Sequence, residues 1–246
     1  MLRARVLRCY AGSLWLSGEY ERSHGMNEES LALFRELDDD EGIAVLQHRL
    51  GVSTLSYLKD PQTARELFDE SLERYRRAGS KRGECEVLGG LGYVSRDEGD
   101  REVALDLFSR AAVQAAEVGF TWWEAGMLAA IGEILIELDR LDEAEVAVRR
   151  ELELARGIGD RQSSVFGLVL TAWLAARRGD HAQAHLLWGA VEAEERRAPI
   201  GQWESEREKY RGKVLLAEGE ELERARQRGR GRSLGAAIEE ALGARP

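Results

Sequence analysis

The chain has 246 residues, 43% hydrophobic and 33% charged, enough for a continuous core and too apolar for disorder throughout. Lys and Arg number 35 against 45 Asp and Glu, and the formal charge of -10 argues against a broad phosphate-binding face and so against direct nucleic-acid binding. Cys9 and Cys85, far apart and outside any Cys-x-x-Cys pair, exclude a disulfide framework and a zinc knuckle and fit a reducing cytoplasm.

The opening "MLRARVLRCYAGSLWLSG" reads as the first helix of a repeat. It has basic residues but no long apolar core with a cleavage site, so no export signal is read there, and no capping residue or polar helix precedes it. Leu2, Val6 and their apolar neighbours are therefore expected to dock against a second copy in a homodimer, a separate partner or a missing N-terminal domain.

From there the chain repeats. Turns begin at Gly18, Lys59, Gly99, Asp139 and Gly179, in steps of 41, 40, 40 and 40. A small residue follows each turn, at Ser23, Ala64, Ala104, Ala144 and Ala184, with the same steps. Asp39, Gly79, Gly119 and Gly159 mark the far end of each unit. Between markers the apolar residues recur at three and four, as in Leu128, Ile131, Leu135 and Leu138, so each unit holds two helices. The turn residues suit a corner between helices, because Gly tolerates a left-handed C-terminus and a short acid accepts from the next helix's free N–H groups. Gly92 with Ala104, and Gly132 with Ala144, are expected to let paired helices approach closely.

Trp122 and Trp123 open the fourth unit, one ring expected between repeats and the second open to a peptide contact. Glu133 and Glu137 stack along one helix, whereas paired catalytic carboxylates face each other across a cleft, so surface charge is the expected role. The longest nearly apolar run, "VFGLVLTAWLAA" at 165–176, is too short to span a bilayer. His181 and His185 lack a third ligand and read as a helix-start face. A longer helix is expected near 203–228 and a short one near 233–242, with the arginines of "RARQRGRGR" on a solvated, charge-balanced helix and linker. No phosphate loop is present: Gly212-Lys213 is followed by Val214, with Arg207 where the motif needs Gly. "GRGRSLG" at 229–235 follows no strand and reads as a helix-ending linker.

Leu91, Gly92, Ala104, Phe108 and Ala111 stand at the spacing of the tetratricopeptide repeat (TPR) family, which the chain resembles. The fourth unit repeats Ile131, Gly132 and Ala144 but departs at Val148 and Glu151; the second has Leu50, Gly51, Ala64 and Phe68 with one extra residue before its turn; the fifth has Ala172, Ala184 and Trp188. In the ending, Gly229, Ser233, Leu234, Ala237 and Ala241 resemble the tail of the TPR region that closes bacterial STAND-ATPase and LuxR-type regulators, with Arg232 in place of a Leu.

The resemblance implies an all-α, right-handed solenoid of about five helical hairpins with a 40-residue period over 1–198, followed by capping helices over 199–246. It implies no enzyme and no cofactor, but a cytoplasmic, membrane-free protein-protein interaction or scaffold module of a bacterial signalling or transcriptional regulator. The alternative is a stand-alone receptor for a small ligand or signalling peptide. Family ligands lie against the first helix of each hairpin, which points to a mixed-charge groove of Arg5, Arg8, Trp15, His48, Glu86, Tyr93, Arg96, Glu133, Glu137, Trp173 and Arg177 for a protein or peptide partner.

Overall fold

The computed structural model describes residues 1–243. They form thirteen α-helices and one π-helical turn, with no strand among the described residues, so the expected all-α class holds. Two compact units divide the chain, Met1–Gly119 and a second that begins at Phe120.

The first unit contains three hairpins: α1 (Leu2–Leu16) with α2 (Tyr20–Glu36), α3 (Asp40–Ser53) with α4 (Pro61–Ala78), and α5 (Lys81–Asp97) with α6 (Arg101–Glu117). The second contains α7 (Thr121–Glu137) with α8 (Leu141–Ile158), α9 (Arg161–Arg177) with α10 (His181–Glu195), and then α11 (Trp203–Val214), α12 (Glu220–Arg230) and α13 (Leu234–Ala241).

Helix corners follow a backbone rhythm. Left-handed residues fall at Gly18, Asp38, Lys59, Gly79, Gly99, Gly119, Asp139, Gly159 and Gly179, spaced by 20 except for one step of 21 between Asp38 and Lys59. Asp38, rather than the expected marker Asp39, takes that conformation, and Asp39 instead caps α3 by accepting from the Gly42 N–H. The extra residue of the second repeat is absorbed as the π turn Thr54–Leu58, which keeps the flanking helices in register by widening one turn. After the corners, Asp60, Asp100, Asp160 and Asp180 each accept a backbone N–H of the next helix.

The second helix of each hairpin supplies the large core groups. Phe68, Phe108 and Trp188 are fully buried at corresponding positions. Gly51 and Gly90 both face the Phe68 ring, where an added Cβ would lie 2.7 and 2.6 Å from ring carbons. Gly92 faces Phe108 and Gly132 faces Val148, so these glycines admit the larger side chain one turn beyond Ala104 and Ala144 rather than those alanines themselves. Ala104 is nonetheless fully buried. Ala104→Leu should cost roughly 1–3 kcal/mol through overpacking, and Ser109→Leu, exposed on the same helix, less. Equal melting temperatures would contradict this packing.

The C-terminal part differs from expectation. The single helix expected near 203–228 is two, α11 and α12, separated by residues 215–219, because α12 turns back to lie along α10. Gly219 takes φ 155°, a conformation open to glycine, just before α12. Gly229 and Arg230, read as linker, belong to α12.

Candidate functional site

Arg5, Arg8 and Trp15 recur at helical spacing on α1, and Arg49, next to His48 on α3, reaches that helix: Arg49 Nη1 donates to the Arg8 carbonyl at 2.7 Å. The Arg8 guanidinium also lies 5.6 Å from the Phe34 ring. Burial pushes the Arg49 guanidinium below its ordinary pKa, and the like charge of Arg8 pushes it further. Arg5, Arg8 and Arg49 make no ion pair among the described residues. His48 is pushed down to about 4 by burial and then by Arg49, so it is neutral at physiological pH. Its ring lies tilted against Phe68, 5.8 Å between centroids, and its buried Nε2 has no hydrogen-bond partner.

On α5, Glu86 is half-buried and its carboxyl is raised by desolvation, partly offset by Arg82 and Arg49. Tyr93 packs edge-on against Phe108 at 4.9 Å, and the Arg96 guanidinium stacks 4.9 Å from the Tyr93 ring. At the far end of α1, Trp15 meets Tyr20 at 4.8 Å and Tyr20 meets Tyr57 at 6.0 Å. Tyr57 is presented by the π turn, so the extra residue in the second repeat was the signal for this exposed aromatic group. Leu2 and Val6 are 78% and 56% exposed, whereas Leu46 and Val87, at the positions of Val6 in the second and third repeats, are fully buried.

In the second unit the corresponding face is covered. Lys209 of α11 pairs with Glu133 at 2.7 Å, and Lys213 pairs with Glu137 at 3.0 Å while its Nζ lies 4.0 Å from the Trp173 ring centre. Tyr210 and Trp203 lie 6.1 and 5.6 Å from Phe166. Glu133, expected on the surface, is therefore buried beneath two lysines, because α11 is laid across it. Burial alone would lower the Lys209 pKa, but Glu133 outweighs it and the net shift is upward. Arg177 does not line an open groove: it donates to the Ile136 carbonyl and the Asp139 carboxylate, both at 2.9 Å, and ties α9 to the end of α7. Phe166, seven residues before Trp173 in the register that Glu86 and Tyr93 share, was legible as a groove position and was missed.

Charge expected to be solvated is organised instead. Arg226 and Arg230 of α12 converge on the buried Glu192 carboxylate, with Arg207 3.9 Å away. Burial raises the Glu192 pKa, and the hydrogen bonds from Arg226 and Arg230 more than offset it. Trp122 is half exposed, and Phe120 stacks on Trp123 at 6.2 Å. His185 Nε2 lies 3.0 Å from the Ala217 carbonyl, which uses that ring to seat the segment before α12.

A tetratricopeptide-repeat family model matches residues 2–77. The chain carries a TPR-like repeat array. No curated protein matches the sequence. The TPR-like fold is similar to a Podosopora anserina structure described as a kinesin light chain with nearly identical TPR-like repeats, at 14% identity, covering 83% of this chain and 97% of that one, with a TM-score of 0.61. It is also similar to aspartyl phosphate phosphatase F from Bacillus subtilis, at 16% identity over 94% of this chain and 61% of that one, TM-score 0.65. The Rap conjugation gene regulator of plasmid pLS20, solved with the Phr* peptide, matches at 14% identity over 98% of this chain and 65% of that one, TM-score 0.60. At these identities the likeness is one of fold.

Proposed function

We propose that the TPR-like array is a non-enzymatic, cytoplasmic protein-interaction module of a bacterial signalling or transcriptional regulator, and that its first unit binds a peptide carrying a carboxylate. The observation that carries this reading is the pair Arg8 and Arg49, cations brought together on α1 and α3 without an ion pair among the described residues, with Arg5 one helical turn before Arg8. Two like charges brought together and partly desolvated favour an anion that can accept from both. Arg96 on Tyr93, with Glu86 in the field of Arg49 and Arg82, supplies an aromatic and mixed-charge lining for the rest of an extended chain. The chain's net charge of -10 weighs against nucleic acid as the anion, and no helix among the described residues is long and apolar enough to cross a membrane.

Short acidic peptides with a free C-terminal carboxylate, compared with their amidated forms by fluorescence anisotropy, test the site. The carboxylate forms are expected to bind more tightly. Arg8→Ala and Arg49→Ala should each remove roughly 1.5–3 kcal/mol, the range for a hydrogen bond to a charged group. Equal binding of amidated and free peptides, or indifference to both substitutions, would defeat the reading.

The second reading, a stand-alone receptor for a small ligand or signalling peptide, is favoured by the pLS20 regulator, whose structure holds the Phr* peptide. A peptide that acts on the isolated chain without any further domain would decide for it. The exposed outer face of α1, with Leu2 and Val6, is proposed as the docking surface for a second copy or a preceding domain.

A further inference from the structure

We propose that the α7 and α9 face of the second unit is a groove for an amphipathic helix, and that α11 is its built-in occupant, holding the groove shut against a partner helix of the same chemistry. This inference does not rest on the carboxylate reading of the first unit.

The groove is made of two kinds of group. Glu133 and Glu137 offer two carboxylates one helical turn apart on α7, and Phe166 and Trp173 offer two aromatic rings two turns apart on α9. The matching helix is read directly from α11: aromatic residues at Trp203 and Tyr210, seven apart, and lysines at Lys209 and Lys213, six and ten after the first. The aromatics meet Phe166 and the lysines meet the acids, with Lys213 placed over Trp173 as well. A helix with that spacing therefore satisfies charge and shape at once. An acidic helix would face Glu133 and Glu137 without compensation.

Release is built into the attachment. Residues 196–202 and 215–219 flank α11 without α-helix, with left-handed Gly201 in the first and the φ 155° of Gly219 closing the second. Only Trp203, Tyr210 and Val214 of its twelve residues are buried, against ten of seventeen in α9, so α11 is the thinner layer and opens before the floor beneath it. Tethering gives α11 a high effective concentration, which keeps the groove closed to weak helices and admits only a close chemical match.

The test uses the full chain and a fluorescein-labelled peptide of residues 201–216. Tyr210→Ala with Lys213→Glu loosens α11 from α7 and α9 while leaving Trp203 on Glu195 through its indole N–H at 2.7 Å. The double variant is expected to bind the peptide at least about tenfold more tightly than the wild type. Binding should fall when the peptide carries Lys209→Glu and Lys213→Glu, or when Glu133→Gln and Glu137→Gln are added to the protein. A folded double variant that binds no better than wild type would overturn the proposal. If the double variant melts without cooperativity, hydrogen exchange on the wild type decides: α11 amides should exchange at least about tenfold faster than those of α7 and α9, and equal protection makes α11 a permanent layer and refutes the groove. Wild-type dimers that the peptide dissolves would replace the partner helix with α11 of a second copy and overturn that part of the assignment.

Discussion

Glu151→Gln should stabilise the protein at neutral pH and remove part of its pH dependence. Glu151 is 1% exposed, its Oε2 has no hydrogen-bond partner, and the residue sits where corresponding positions in earlier repeats hold Ser30, Ser71 and Ala111. Ser30 and Ser71 use that slot to donate to the Ala4 and Ala44 carbonyls at 2.8 Å. Glu151 instead pushes into space left by Gly167, where an added Cβ would collide with the carboxylate oxygen. Desolvation raises its pKa well above the ordinary 4.5, and the nearby Asp160 charge raises it further.

The sign follows from linkage. Below pH 4.5 the carboxyl is protonated in both folded and unfolded chains and carries no ionisation penalty. Above it the unfolded chain releases the proton while the folded chain keeps it, so stability falls by up to about 1.4 kcal/mol per pH unit until the folded group also ionises. Gln does not titrate. The gain of Glu151→Gln over wild type is thus absent near pH 4 and grows towards neutral pH. Glu151→Met, which also removes the buried polar atom, should gain about a further 1–3 kcal/mol. Denaturant unfolding of all three proteins between about pH 4 and pH 8 measures this. Parallel wild-type and Gln curves would show that the carboxyl is not desolvated in the folded state.

Gly189→Ala and Gly229→Ala should be among the most damaging single-methyl changes in the second unit. Helices α10 and α12 meet backbone to backbone: a Cβ on Gly189 would strike the Arg226 carbonyl oxygen, and one on Gly229 the Leu186 carbonyl oxygen. Neither obstacle can rotate away. The helices must separate, which draws Arg226 and Arg230 from Glu192 and leaves a buried carboxylate short of partners. Overpacking alone accounts for about 1–3 kcal/mol, and loosening the buried ion pairs brings each variant to about 3 kcal/mol or more. Gly212→Ala is the control, since nothing lies within 4 Å of the added Cβ on an exposed helical position, and it should stabilise by about 0.5–1 kcal/mol. Shifts in denaturation midpoint compare the three. Gly189 and Gly229 variants as stable as Gly212→Ala would mean that α12 does not lie on α10 as described.

The sequence by itself determined the hairpins, their corners and their core. Left-handed corners demand Gly or a tolerant Asp or Lys, buried ring positions demand apolar residues every third or fourth place, and both requirements act within a few residues of chain. That is why the markers at Gly99, Asp139 and Gly179, the caps at Asp100 and Asp180 and the core ring at Phe108 were legible. Even the extra residue of the second repeat was visible, although the π turn that absorbs it was not. Tertiary structure decided what the polar residues do. Glu133 and Glu137 looked like surface charge because their lysines lie 76 residues further on, beyond any helical period. Arg226 and Arg230 looked solvated because Glu192 belongs to another helix. Local periodicity reports which side of a helix is apolar; which element comes to lie on the other side depends on how the chain folds back, as α11 and α12 do at residues 196–202 and 215–219.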